Sequence, residues 1–225
     1  MKIIARIYND FKEKFGIPRQ SGIISELESR IVFEPQFRRE EALRGILGYS
    51  HLWLIWNFSL SERGEWSPTV RPPRLGGNRR MGVFATRSPY RPNPIGLSAV
   101  RLLRLEEDKN DGTVIVVAGA DLLDGTPIYD IKPYIPFSDC HPDAVGGFAD
   151  EVRDYSLSVD FPEDLLLKID EKRRKAIKEI LASDPRPSYH NDERIYGFRF
   201  ADYEIKFKVA DGILTVTDVE SGCLL

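Results

Sequence analysis

Gly82 to Ser98 reads GVFATRSPYRPNPIGLS. An apolar opening runs into a loop stiffened by Pro89, Pro92 and Pro94, and the loop releases the chain into a strand. Arg87 and Arg91 sit four apart in that loop. Prolines at this density exclude a helix and a central strand, so strands must flank the stretch rather than include it. It lies within a wider window, Trp66 to Leu105, that carries eight arginines and no Asp, Glu or Lys. The whole chain has 32 basic and 35 acidic residues, so the remainder is distinctly acidic. A cationic island in an anionic molecule points to a local anion-binding surface rather than general adhesion. Arginine without lysine favours planar, bidentate recognition of phosphate or carboxylate. The competing reading is a set of surface loops whose arginines pair with acids elsewhere.

Working outward, Ser67 to Asn78 is broken by Pro68, Pro72, Pro73 and the Gly76-Gly77 pair and is expected as a rigid loop. Met81 to Thr86 is strand-like. Upstream, YSHLWLIWNFSL (Tyr49–Leu60) is the most apolar segment, and HLWLIWN predicts a central strand buried on both faces. Arg39 to Leu47 has helix-forming composition and stops at Gly48. Ile3 to Asn9 and Ser29 to Glu34 read as strands. The loop between them is stiffened by Pro18. There Arg19 and Gln20 form either a fork of donors or a solvated turn.

Downstream, Ile95 to Leu105 and Thr113 to Ala118 read as strands joined through Asp111-Gly112. Asp121 and Asp124 then bracket two leucines after a strand end. They suit ribose hydroxyls or an ammonium group, or equally a turn that binds its own amides. Pro133 to Gly147 is irregular, and Glu151 to Val159 alternates as a closing strand. Pro162 to Leu181 predicts one long amphipathic helix, followed by strands at Tyr196–Phe200, Tyr203–Val209 and Ile213–Val219, with a hairpin turn at Asp211-Gly212. The expected organisation is a β domain over 1–159 and a small α+β appendage over 160–225.

With 225 residues, 42% of them hydrophobic, the chain can bury a sizeable core. No apolar run reaches bilayer length, and the start MKIIARIYND lacks a secretory signal pattern. Cys140 and Cys223 with three histidines show no metal-ligand spacing. The expectation is a cytoplasmic, reduced, metal-free protein. P-loop, GxGxxG, GxSxG and HExxH patterns are all missing. A nucleotide-like cofactor would therefore have to sit on strand-end loops.

The run from Gly82 to Asn93 resembles the signature of the TsaA-like family, which includes tRNA N6-adenosine methyltransferases. Supporting blocks follow in the family's order: FKEKFGIPRQSG, YSHLWLIW, WSPTVRPPRLGGN, DLLDGTPIYDIKPYIPF and DPRPSY (Asp184–Tyr189). The resemblance implies a mainly β protein built on a compact β-barrel. It also implies a homodimer that holds S-adenosyl-L-methionine near the subunit interface. The implied reaction methylates N6 of threonylcarbamoyladenosine beside the tRNA anticodon. By motif position, cofactor contacts fall on Pro18, Arg19, Gln20, Ser59, Leu60, Arg87, Leu97, Asp121, Leu122, Leu123 and Asp124. The resemblance assigns no catalytic base and implies no metal. Ser59 stands where the family often has His, and Asn9-Asp10 stands where Ser-Pro is common. Arg71, Arg74, Arg79, Arg80 and Arg91 are the candidate surface for the tRNA anticodon arm or for the dimer partner. The alternative is a module that holds the cofactor or RNA without chemistry, or a methyltransferase for another substrate.

Overall fold

A computed structural model of the chain describes all residues except 62–65, 73–74, 76–78, 153–154, 187–193 and 223–225. Arg74, Gly76, Gly77, Cys223 and the second half of DPRPSY thus lie outside the described residues.

Six strands carry the N-terminal part: β1 (Ala5–Tyr8), β2 (Glu28–Phe33), β3 (His51–Asn57), and, after the two-residue pair β4 (Thr69–Val70) and β5 (Met81–Gly82), β6 (Ile95–Asp108), β7 (Gly112–Ala118) and β8 (Pro127–Pro133). Their hydrogen bonds run round a ring in the order β1-β2-β7-β6-β3-β8. The ring is uneven. β3 pairs with β6 along its whole length, from His51↔Arg101 to Asn57↔Ile95. β8 returns to β1 only through Ala5↔Ile128 and Arg6↔Pro127. Alternate residues point inward, and Ile7, Ile31, Leu52, Leu54, Val100, Ile115, Val117 and Ile128 fill the interior. β3 is therefore buried on one face, not two: His51 is exposed and Trp53, Ile55 and Asn57 are half-exposed. Trp53 is partly covered by Tyr134, with ring centroids 5.4 Å apart, and its indole N–H donates to Asp139 at 2.7 Å. An outward row this apolar reads from sequence like a second core face.

Residues 39–47 form no α-helix. Two 3₁₀ turns, Glu40–Leu43 and Ile46–Gly48, are separated by Gly45 at φ +86°. A helix this short gains little from its own hydrogen bonds, and docking Leu43 and Ile46 against the ring core decides its shape. MGVFAT is likewise not a strand beyond Gly82. Val83–Ala85 turns as a 3₁₀ helix, which buries Val83 and leaves Phe84 73% exposed. A short helix α1 (Pro136–Asp139) caps the stretch after β8.

The expected closing strand at 151–159 is absent as such. Gly147–Val152 is a 3₁₀ turn, and β9 (Ser158–Asp160) pairs in parallel with a strand of the second sheet. That sheet has the order β10-β11-β12-β9, with β10 (Tyr196–Phe200), β11 (Tyr203–Ala210) and β12 (Ile213–Ser221). The single long helix divides into α2 (Glu163–Leu166) and α3 (Glu171–Ala182). Asp170 stands outside the helix at the head of α3, at φ −51° and ψ 135°, and its carboxylate accepts from Arg173 one turn on. α3 buries Ala176, Ile177, Ile180 and Leu181 on one stripe. The two parts meet along the loop after β1. Phe11, Ile24 and Leu27, from the loop after β1, belong to the apolar cluster built by Ile177, Phe198, Phe207 and Val216. Among the described residues, no helix is long and apolar enough to cross a membrane, and no group of His, Cys, Asp or Glu is spaced to hold a metal.

Candidate active site

A cleft of about 480 Å³ opens at one end of the ring. Four segments wall it: Ile17–Gln20 from the loop after β1, Trp56–Ser61 at the exit of β3, the loop from Thr86 to Arg91, and the start of β6 at Ile95–Leu97. Lys14, Asp121, Leu123 and Thr126 complete the lining. The prolines and glycines that break the ladders deliver these segments to one strand-end mouth.

The floor is polar and ordered. The Trp56 indole N–H donates to Ser98 Oγ at 2.9 Å, and the Ser98 hydroxyl donates to Asp121 Oδ1 at 2.5 Å. Burial pushes the Asp121 carboxyl above the usual aspartate range, against the opposing pull of Ser98, nearby backbone amides and Arg87. Gly96 lies directly opposite Trp56 in the β3–β6 ladder.

The rim is cationic and apolar. Arg87 Nη1 donates to Gln20 Oε1, joining the signature loop to the first loop. Arg19 Nη2 donates to the carbonyls of Arg186 at 2.9 Å and Asp184 at 3.3 Å. Lys14 Nζ reaches Leu60 O at 2.6 Å and Ser61 Oγ at 3.1 Å. Leu60 and Leu97 are 64% and 53% exposed, so both offer apolar surface to whatever enters.

Of the residues expected from the sequence, Pro18, Arg19, Gln20, Ser59, Leu60, Arg87, Leu97, Asp121 and Leu123 line this cleft. Leu122 and Asp124 do not. Leu122 is fully buried in the ring core, and its carbonyl accepts from Asn9 Nδ2. Asp124 accepts from the Asn9 amide at 2.9 Å and from Lys12 Nζ at 2.9 Å, which makes its carboxylate a turn fastener. Asn9 is thereby accounted for: its side-chain amide ties the end of β1 to Leu122, and its backbone amide ties it to Asp124. Sequence reasoning missed Lys14, Trp56, Gly96 and Ser98. Trp56 reads as core, and nothing in the sequence distinguishes Lys14 from its neighbours.

The arginine island separates by partner. Arg71 and Arg79 are exposed, and Arg80 donates to Thr69 Oγ1 at 3.0 Å. Arg91 is half-buried and turns inward. Its Nη1 donates to the carbonyls of Thr86 at 3.0 Å and Ser88 at 3.3 Å, bracing the signature loop. Trp66 and Phe84 stack on each other with centroids 6.1 Å apart, both exposed.

The cleft combines a half-buried carboxylate, guanidinium and ammonium groups at its edge, and apolar flanks. Its volume is typical of cofactor sites, commonly about 300–1,000 Å³. The carboxylate can accept from hydroxyl or ammonium donors, the cations suit a carboxylate or phosphate, and the leucines can flank an aromatic ring.

The tRNA-methyltransferase O N-terminal domain model matches residues 6–140, and the TrmO C-terminal domain model matches residues 154–222. The chain is 39% identical to the tRNA (adenine(37)-N6)-methyltransferase of Escherichia coli strain K12, covering 96% of each protein. It is 38% identical to a Pseudomonas aeruginosa protein named for S-adenosylmethionine-dependent methyl transfer, over 97% of this chain and 96% of that one. Superposition on the crystal structure of TrmO from P. aeruginosa gives a TM-score of 0.79 at 34% identity, covering 98% of this chain and 95% of the other.

Proposed function

This chain belongs to the tRNA-methyltransferase O family, and from that premise we propose that it transfers a methyl group from S-adenosylmethionine to N6 of the adenosine at position 37 of tRNA, as its E. coli relative is named for doing. The natural form of that base beside the anticodon would carry a threonylcarbamoyl group. The observation that supports this reading most is the convergence of four separate segments on one cleft that offers both an acid and cations. Those residues fit the cofactor's chemistry. Asp121 would accept hydrogen bonds from its ribose hydroxyls or ammonium, Arg19 and Arg87 would face its carboxylate, and Leu60 and Leu97 would flank its adenine.

When bound, S-adenosylmethionine supplies an electrophilic methyl group. The chain contributes position, since in-line approach of N6 can account for much of the rate. N6 of a carbamoylated base lies beside a carbonyl and must shed a proton, to a carboxylate or to a water that one holds. Asp121 already accepts from Ser98, and we assign the proton to no side chain. The exposed Arg71 and Arg79 would hold anticodon-arm phosphates, joined by Arg74 and Arg80. We further propose that the uneven strand ring is the compact barrel of the family. The protein would act as a cytoplasmic homodimer with the cleft near its interface, and the chain divides near residue 160.

The deciding measurement is transfer of labelled methyl from S-adenosylmethionine to tRNA bearing the threonylcarbamoylated base. Stoichiometric labelling is expected. Cofactor binding without transfer to that tRNA would overturn the enzyme reading.

A further inference from the structure

Asp184 and Arg186 form an ion pair with an unusual design. Both are nearly fully buried, at 3% and 7% exposure, yet they are only two residues apart in the chain. Arg186 donates from Nε at 2.9 Å, Nη2 at 3.2 Å and its own amide at 3.3 Å to the Asp184 carboxylate. Tyr155 adds its hydroxyl at 2.9 Å. Stability is a poor explanation, because burying two charges costs desolvation that a pair of apolar residues would avoid. Nor can a pair two residues apart clamp distant elements directly. What it does fix is the backbone between them, where Asp184 holds the left-handed conformation at φ +51°.

That backbone presents two carbonyls to one guanidinium. The oxygens of residues 184 and 186 both accept from Arg19 Nη2. Arg19 sits between Pro18 and Gln20 on the cleft wall, and Gln20 accepts from Arg87 across the mouth. The approach to Arg19 is fastened to the same appendage. Gly16 stands so close to Phe198 that a Cβ there would fall 2.7 Å from its ring. The Arg199 amide donates to Glu13 at 2.7 Å, and the Ala201 amide to the carbonyl of Asp10 at 2.8 Å. Arg173 donates to Asp10 at 2.8 Å.

We propose that the C-terminal appendage positions the cofactor loop, with the Asp184–Arg186 pair aiming two carbonyls that orient Arg19. Residues 184 and 186 are then positioning residues, acting through Arg19 rather than touching the cofactor. The proposal rests on the reading of the cleft as the S-adenosylmethionine site.

The test is calorimetric binding of S-adenosylmethionine to the full-length protein, with steady-state kinetics on the modified tRNA. Arg186→Met is expected to raise both Kd and KM for S-adenosylmethionine at least tenfold, while kcat and KM for tRNA move less than threefold. Tyr155→Phe, a gentler change that keeps the core filled, is expected to raise the same Kd two- to fivefold, and it decides the matter if Arg186→Met does not fold. In an Arg19→Ala background neither change should add further loss, because the group they orient is gone. A general loss of structure would instead lower kcat and both KM-limited rates together and would add to Arg19→Ala. Wild-type protein that binds no S-adenosylmethionine overturns the cofactor reading and the positioning with it. Wild type that binds while the Arg186 and Tyr155 variants bind equally well, or whose losses add to Arg19→Ala, overturns the positioning alone.

Discussion

The indole of Trp56 occupies the space that any side chain at Gly96 would need. A Cβ built on Gly96 falls 2.2 Å from Trp56 Cε2, and the two residues face each other across the β3–β6 ladder. The close approach places the indole N–H on Ser98, and through Ser98 it supports Asp121.

Gly96→Ala is therefore expected to displace Trp56 and break its bond to Ser98. Overpacking of this kind costs about 1–3 kcal/mol, which thermal unfolding will show. Cofactor affinity should fall with it, because the same displacement takes from the Ser98 hydroxyl, the donor to Asp121, the bond that orients it. Unchanged affinity in a folded Gly96→Ala protein would separate the Trp56–Ser98 contact from the site.

The raised Asp121 pKa sets a pH signature. Burial favours the neutral carboxyl, so the folded state keeps its proton at pH values where the unfolded chain has lost it. Stability from this group is greatest below the unfolded aspartate pKa, falls as pH rises toward the folded pKa, and is flat beyond it. Asp121→Asn should remove that loss, so its stability relative to wild type grows across the same window. Cofactor affinity should run the opposite way in wild type, weakening as acid protonates Asp121. Ser98→Ala removes a donor and should move that midpoint upward. Titrations of Kd against pH for the three proteins check both signs.

The arginine island should respond in two ways. Arg71→Ala with Arg79→Ala removes two exposed charges and is expected to weaken tRNA binding, flattening the slope of log K against log salt by about one per contact. Arg91→Ala should act on the fold instead, since its guanidinium braces the carbonyls of Thr86 and Ser88. Loss of those bonds should cost about 1–3 kcal/mol and raise the cofactor KM as the Arg87 loop loosens. Salt-dependent filter binding and thermal melts on the same variants distinguish the outcomes.

Asp124→Ala is expected to lower stability by about 1–2 kcal/mol, because the Asn9 amide and Lys12 lose their acceptor. Cofactor Kd in the folded variant should stay within about twofold of wild type. A tenfold loss would return Asp124 to the site.

The contrast between Asp121 and Asp124 shows where sequence legibility ends. Both stand in one DLLD run, and residue type gives them equal claim to a ligand. Which one enters the cleft is set by the turn at Gly125, beside which the second carboxylate bonds Asn9 and Lys12 just past the end of β1. Patterns governed by burial were easier to read. The alternation in Leu52, Leu54 and Trp56, the strand at Gly112–Ala118 and the hairpin at Asp211-Gly212 all follow from local chemistry. Strand β8 was not expected, because Pro127 and Pro133 bound it and its residues look like a loop. Trp56, Ser98 and Lys14 meet the site only through ring closure and loop docking, which no spacing encodes.

The loop after β1 has a consequence for biosynthesis. Phe11, Ile24 and Leu27 leave the ribosome early, yet their apolar partners are Ile177, Phe198, Phe207 and Val216. Chains emerge N-terminal end first at about 5–20 residues per second, so these side chains stay uncovered until nearly the whole polypeptide is made. The strand ring can pair before that moment; the wall bearing Arg19 cannot be completed until the last strands arrive. A nascent or prematurely terminated chain would thus hold a ring without a finished cleft, and competence would be conferred only at release.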